Sequence, residues 1–538
     1  MTARRIGFIQ SEMSAEPQSG ANQEVKEQSL SLEEALSLGV NLHRSGRLPE
    51  AETIYRRVLE ACPDQPDAWH YLGLLAHQRG EREQAVTLIR KAIVLAPGHV
   101  DAHNNLGNVF KEQGSPAEAE ACFLRVIDLV PDHASAYNNL GVALKEQGKL
   151  DAAVAAYQKA ILLRPDYFDA HYNLGNAFFN LENLENALAA YQAVVALQPN
   201  HLEGHHSLGR LYERQGKAKE AMAAFRETVR LKPDRGAAHY GLGNGLMETG
   251  AVEEAVAAYR KAIACSPRFA PAYKRLATVL TLLGRTDEAA TIWRKWAEND
   301  PENAVPRHML AAATGQSVPA RAPDEFVKST FDQFAEDFDE QLKRLDYRAP
   351  ELIAAAVLAQ LGAPAGELHV LDVGCGTGWC GPFLRPYARR LAGVDLSPAM
   401  LEKARARAVY DELITGELTQ FLEATVSAFD LLISADTLVY FGDLGGAFRG
   451  AAQALRPDGR FMFTLERTAK EVAEAGFSLH ALGRYAHSEA YVRSCLSEAG
   501  FSLRAITQAT LRTEAGEPVA GWVVSALKRP GPRDKALS

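Results

Sequence analysis

With 538 residues the chain is longer than one hydrophobic core commonly serves, so at least two domains are expected. A net charge of -9 gives no general attraction to nucleic acid, and no apolar run is long enough to span a membrane. The six cysteines are scattered, without close CxxC pairs or histidine clusters, and read as reduced thiols of a cytoplasmic protein rather than zinc ligands.

Residues 1–31 carry Arg4 and Arg5 before Ile6-Gly7-Phe8-Ile9, an apolar piece too short for a signal peptide, and are expected to form a disordered leader. Beyond it an internal repeat begins. Prolines stand at 63, 97, 131, 165, 199, 233, 267 and 301, a constant spacing of 34. In phase with them run Gly39, Gly73, Gly107, Gly141, Gly175, Gly209 and Gly243, and a column of alanines from Ala51 to Ala289. A large residue follows each alanine by four, as Tyr55, Ile89, Phe123 and Tyr157 do. Small residues let two helices cross closely, large ones fill the gap, and proline stops the second helix. The pattern predicts stacked helix-turn-helix units over residues 32–303, and it resembles eight tetratricopeptide repeats, which implies an all-α solenoid with a concave groove for a protein or peptide segment.

Asparagine is a mediocre helix former, yet it recurs in two columns of the first helices: Asn105, Asn139 and Asn173, then Asn108, Asn176 and Asn244. Its amide donates and accepts at once, which suits either an extended peptide or bonds between repeats. Residues 304–324, with Pro306, Pro319 and Pro323, read as a linker. Then Phe331, Phe334 and Phe338 fall at i, i+3 and i+7, which gives a helix one apolar stripe.

The run Val370-Leu371-Asp372-Val373 ends in Gly374-Cys375-Gly376-Thr377-Gly378, the mark of a buried parallel strand turning tightly into a helix. A dinucleotide fingerprint needs its third glycine where this chain has Trp379, and Asp372 would repel a pyrophosphate. An acid suits a ligand carrying an ammonium and a sulfonium. Seventeen residues after Gly378, Asp395 ends a second apolar run, positioned for ribose hydroxyls. The stretch resembles motif I and the following acidic residue of class I S-adenosylmethionine-dependent methyltransferases. Phe429 to Asp436 resembles the fourth strand of that fold and Leu455 to Phe461 the turn into its fifth. The resemblance implies an α/β Rossmann-like domain over residues 325–528, a tail over 529–538, and S-adenosylmethionine as cofactor. Its binding residues would be Asp372, Gly374, Cys375, Gly376, Gly378, Asp395, Leu396, Glu417, Leu418, Ala435, Asp436 and Tyr440.

A hydroxyl or ammonium acceptor must lose a proton, and His487, whose free pKa lies near neutrality, is the first candidate base, with Tyr485 and Glu466 behind it. Metal ligands are not expected. The whole architecture resembles a group of bacterial methyltransferases that carry such repeats. The resemblance leaves the acceptor open: a protein or peptide brought by the groove is the leading reading, since a small metabolite would not require eight repeats; a small molecule such as a quinone precursor, with the repeats serving assembly, is the second, and a scaffold that only binds the cofactor the third.

Overall fold

The computed structural model describes residues 5–9, 27–335, 337–468, 476–514 and 516–530, the side chains at 5, 7–9, 27, 28, 333 and 334 apart. Two compact units divide the chain at Ala255. In the first, the expected disordered leader differs from what is found: Arg5–Ile9 pairs antiparallel with Glu27–Ser31. The apolar Ile6 explains the pairing, since it is buried against the first helices beside Ala35 and Tyr55. Residues 1–4 and 10–26 of the expected leader lie outside the described residues. Ser31 then starts the first helix, Leu32–Arg44, through a reciprocal pair of bonds with Glu34.

Helices of 13 and 14 residues alternate from there, Leu32–Arg44 against Leu48–Ala61 and Pro66–Gln78 against Arg82–Leu95 being the first two pairs. Each second helix stops two residues before its proline; the intervening Cys62, at φ -138° and ψ 78°, has left the helical region, which the following proline disfavours. The glycine column sits where helices cross. A Cβ on Gly141 would come within 2.5 Å of Tyr157 Cε1, and one on Gly107 within 2.6 Å of Phe123 Cε1. Both rings are fully buried.

The asparagine columns bond between repeats. Asn139 donates to Asn108 Oδ1 at 3.4 Å, Asn173 to Asn138 Oδ1 at 3.0 Å and Asn244 to Glu213 Oε1 at 3.0 Å. Asn105 Nδ2 meets His70 Nε2 at 2.9 Å, and Asn176 accepts from Tyr191 Oη within its own repeat. Every one of the six remains partly exposed.

In the second unit, helices Ala270–Leu282 and Thr286–Asn299 are followed by α1 (Ala304–Thr314), which fills the first half of the expected linker. Asn303 caps it by accepting from Val305 N, Gly315 ends it at φ 68°, and Pro306 sits in the first turn, where its missing N–H has no partner to lose. Proline here starts a helix rather than breaking one. Next come α2 (Asp324–Phe334), α3 (Phe338–Arg344) and α4 (Ala349–Leu361).

A mixed sheet follows: β1 (Leu368–Val373), β2 (Ala388–Asp395), α5 (Pro398–Ala406), β3 (Glu412–Thr415), α6 (Leu418–Ala424), β4 (Phe429–Ser434), α7 (Gly445–Ala454) and β5 (Leu455–Arg467). The chain closes with β6 (Phe477–Leu479), β7 (Tyr485–His487), α8 (Glu489–Glu498), β8 (Phe501–Glu514) and β9 (Glu517–Lys528). Strand order is β8-β9-β5-β4-β1-β2-β3, parallel from β5 to β3, with β8 and β9 as an antiparallel hairpin added at β5. The order reverses after β1. Side chains alternate across that strand, Leu371 and Val373 entering one core cluster and Val370 the other. The carboxyl ends of β1, β2 and β4 therefore meet at the switch point, where open α/β sheets hold ligands.

Candidate active site

Three glycines shape the turn after β1. Gly374, Gly376 and Gly378 have φ of 72°, 53° and 84°, a region L side chains avoid. A Cβ on Gly374 would stand 2.2 Å from Thr437 Oγ1 and one on Gly378 2.9 Å from the Tyr410 ring, while one on Gly376 would meet nothing within 4 Å. The first and third glycines admit neighbours; the second leaves room for a ligand.

Around this turn lies a cavity lined by Asp372, Gly374, Cys375, Gly376, Asp395, Leu396, Glu417, Leu418, Ala435, Asp436 and Tyr440. Eleven of the twelve expected cofactor residues thus share one cavity, and Gly378 stands behind it against Tyr410. Phe331, Phe338 and Tyr347 line it as well; the Phe334 side chain lies outside the described residues.

Asp372 is 1% exposed, and Tyr410 Oη donates to its Oδ2 at 2.7 Å. Burial pushes this carboxyl up to about 7, against the Tyr410 bond, with Asp395 adding to the rise. Asp395 is raised by burial too, although Gly376 N and Ser397 N donate to it at 2.9 Å each. Neither carboxylate has an ion pair among the described residues. Glu417 is held down despite its burial: it caps α6, accepting from Thr419 N and Gln420 N, and pairs with Arg321 at 2.6 Å.

Helices α2 and α3 are pinned over the turn. Ser397 donates to Asp332 and Thr377 Oγ1 to Asp339, at 2.5 and 2.6 Å, and Arg407 bridges Asp339 to the Thr377 carbonyl.

Asp436, two residues past the end of β4, has a left-handed conformation, φ 57°, which is strained for a residue with a side chain. Both of its oxygens accept from Arg512 Nη1, at 2.9 and 2.7 Å. Arg512 also reaches Glu466 and Glu514, and Arg484 joins the same two carboxylates. Arg484, Arg512 and Glu514 all line the cavity.

The expected bases stand elsewhere. His487 is fully buried, gives its Nε2–H to the Gly442 carbonyl at 3.2 Å, and lies parallel to the Tyr491 ring; burial lowers its pKa to about 4. Tyr485 Oη donates to the Pro319 carbonyl at 2.8 Å. Glu466 is bound to both arginines. None of the three lines the cavity, because the β5–β7 pairing turns them into the protein. Arg512 and Tyr410 escaped the sequence reading: nothing local marks an arginine late in an alternating strand, or a tyrosine between α5 and β3, as a partner of the site. Arg321 was hidden in the expected linker.

The residues at the turn suit an adenosyl sulfonium. The buried Asp372 and half-buried Asp395 have no counter-cation among the described residues, Gly376 leaves open space, and Leu396, Leu418 and Met400 supply apolar walls. A pyrophosphate would meet acid at every side of the same turn.

A model of the methyltransferase domain matches residues 371–463. Tetratricopeptide-repeat models match 36–100, 206–270, 100–133 and 168–201 among others. Methyltransferase-like protein 27 of Homo sapiens is 37% identical over 110 residues, 20% of this chain and 45% of that protein. The malonyl-[acyl-carrier protein] O-methyltransferase of Acetivibrio thermocellus is 36% identical over 101 residues, 18% and 35% of the two chains. The demethylmenaquinone methyltransferase of Tropheryma whipplei is 31% identical over 137 residues, 25% and 57%. The chain thus spans well under two thirds of the length of these curated relatives. A crystal structure of MamA, 27% identical, covers 30% of this chain and 94% of its own with a TM-score of 0.29.

Proposed function

We propose that this protein, a series of tetratricopeptide repeats followed by a class I methyltransferase domain, transfers a methyl group from S-adenosylmethionine to an acceptor that the repeats bring to it. The observation that carries the reading is the pair of carboxylates at the ends of β1 and β2, the buried Asp372 and the half-buried Asp395, with no cation of the protein against either among the described residues. When bound, the cofactor supplies an activated methyl group for in-line displacement. The chain's own residues do the rest. Asp372 faces the cationic part of the ligand, Asp395 the ribose, and Glu417 and Leu418 the base. Helices α2 and α3 keep water from the cavity through their bonds to Ser397, Thr377 and Arg407.

A protein or peptide acceptor is favoured by the length of the repeat array and by the partly exposed amides of Asn105, Asn108, Asn139, Asn173, Asn176 and Asn244, a residue type that donates and accepts at once. The relatives named for malonyl-[acyl-carrier protein] and demethylmenaquinone favour a small acceptor instead.

Calorimetry tests the cofactor site. Asp395→Ala should weaken S-adenosylmethionine at least tenfold, about 1.4 kcal/mol; unchanged affinity would dismiss the pose. Tritiated cofactor incubated with a cell lysate, then separated into protein and small molecules, decides between the two acceptors. Asn139→Ala with Asn173→Ala should remove label from protein while leaving cofactor affinity intact.

A further inference from the structure

The acceptor side of the cavity can be characterised by which of its polar atoms are already engaged. Asp436 gives both oxygens to Arg512 Nη1. Glu514 Oε1 accepts from Arg484 Nη2 and Arg512 Nε, and its Oε2 from Arg484 Nη2 again. All three Arg512 nitrogens have carboxylate partners. Beside this cluster what is left over is of one kind, while Gln341, which also lines the cavity, keeps an amide that can donate and accept. Among the described residues, Arg484 Nη1 and the hydroxyls of Tyr347 and Tyr440 have no partner, and all three residues line the cavity. Burial pushes the Tyr440 phenol up to about 12 and Tyr347 well above its usual range, so both keep their protons at neutral pH. The free groups beside Asp436 are donors; the carboxylates there are held by Arg484 and Arg512, and Asp372 and Asp395, the two without an ion pair among the described residues, stand at the glycine turn and serve the cofactor.

Few acceptors suit such a site. A hydroxyl or an ammonium must shed a proton as it is methylated, and here it would find no base. A carboxylate sheds none: one oxygen forms the new O–C bond while the donor's S–C bond breaks and its electron pair stays on sulfur. The second oxygen remains free to accept from a guanidinium fork. We infer that the acceptor atom is a carboxylate oxygen, held by Arg484 Nη1 and the Tyr440 hydroxyl, and that the product is a methyl ester. The inference rests on the methyltransferase reading above and names its substrate class. Asp436, Glu466 and Glu514 outnumber Arg484 and Arg512 by one, so directed N–H and O–H donors rather than net charge draw the acid in.

Esters identify themselves chemically, because mild base releases their methyl group as volatile methanol whereas methyl ethers and methylamines resist. The full-length protein is incubated with S-[methyl-³H]adenosylmethionine and either a dialysed cell lysate or a panel of carboxylic acids, acetate to adipate and benzoate. Label that distils as methanol after base is the expected result. Label that survives base overturns the carboxylate and leaves the methyltransferase standing; no label in any fraction overturns both. Arg484→Gln and Tyr440→Phe should each lower the rate of base-labile labelling at least tenfold at subsaturating acceptor and saturating S-adenosylmethionine. Tyr440→Phe leaves the ion-pair cluster whole, so it carries the test should Arg484→Gln fail to fold. Tenfold weaker cofactor binding with an unchanged labelling rate at saturating cofactor would assign these donors to the cofactor and overturn the proposal.

Discussion

Asp372 concentrates the conflict between stability and function into one side chain. Its carboxyl is buried at the end of β1 with a neutral phenol as its hydrogen-bond partner among the described residues, and its pKa is raised from 3.8 to about 7. A raised carboxyl means that the folded state holds the proton more tightly than the unfolded chain. This contribution is fully present below pH 3.8 and lost as pH rises through 7. Converted at about 1.4 kcal/mol per unit, the loss is on the order of 4 kcal/mol at most. Asp372→Asn removes the ionisation and still accepts from Tyr410, so cofactor-free protein carrying it should melt higher than wild type at pH 8 and equally at pH 4. The same substitution should weaken S-adenosylmethionine at least tenfold at pH 8. In the unaltered protein a proton competes with the cation for Asp372, so affinity should fall by up to tenfold per unit below about pH 7. Calorimetry from pH 5.5 to 8 checks this; a flat profile would show that Asp372 does not face the cationic group.

At the scale of single elements, the solenoid depends on where a side chain is missing. Gly141→Ala places a Cβ 2.5 Å from Cε1 of the fully buried Tyr157, which has no free volume to retreat into. Overpacking of this kind should cost about 1–3 kcal/mol in urea unfolding. Gly98, whose Cβ would meet nothing within 4 Å and whose φ is not left-handed, is the control; Gly98→Ala should stay within about 0.5 kcal/mol. Equal effects would mean that the glycine column marks ancestry rather than packing. This part of the fold was legible because its cause is local and repeated: glycine, alanine and ring recur in one phase, and a helix crossing follows from them. The turn from Val370 to Gly378 was legible for a similar reason, since strand, glycines and acid lie within nine consecutive residues. The cluster around Arg512 was not. Its partners Asp436 and Glu466 lie 76 and 46 residues away, a distance at which nothing in the spacing announces that a charge will be met. For His487 the imidazole's usual pKa pointed to a base, but burial against Gly442 and Tyr491, which only the folded sheet creates, lowers it to about 4 and removes it from the cavity.

At the scale of the whole molecule the same limit bears on where the methyltransferase begins. Prolines and alanines between 304 and 324 read as a linker, yet α1 occupies the first half of that stretch and is built into the α/β domain. His308 is 1% exposed and gives Nε2–H to the Gly483 carbonyl at 3.0 Å, its ring 4.8 Å from that of Phe326 and 6.0 Å from that of Tyr485. Gly483 has φ 83° and immediately precedes Arg484, so α1 buttresses the loop that carries the guanidinium of the acceptor side. Further along, Ala322 N donates to the Tyr440 carbonyl, and Arg321 holds Glu417. Through α1 and residues 319–322 the supposed linker touches both the cofactor and the acceptor sides of the cavity. A chain starting at residue 325, the boundary that the sequence suggests, would expose Phe326 and Tyr485, leave the Gly483 loop without its buttress and strip Glu417 of Arg321. It should aggregate, or bind S-adenosylmethionine at least tenfold more weakly than the full chain. A chain starting at residue 256, where the second compact unit begins, should bind as tightly as the full chain. Calorimetry and thermal melting of the two truncated chains decide the matter. If the shorter one matches the full chain in affinity and melts at the same temperature as the longer, then α1 merely rests on the methyltransferase domain and plays no part in holding its site together.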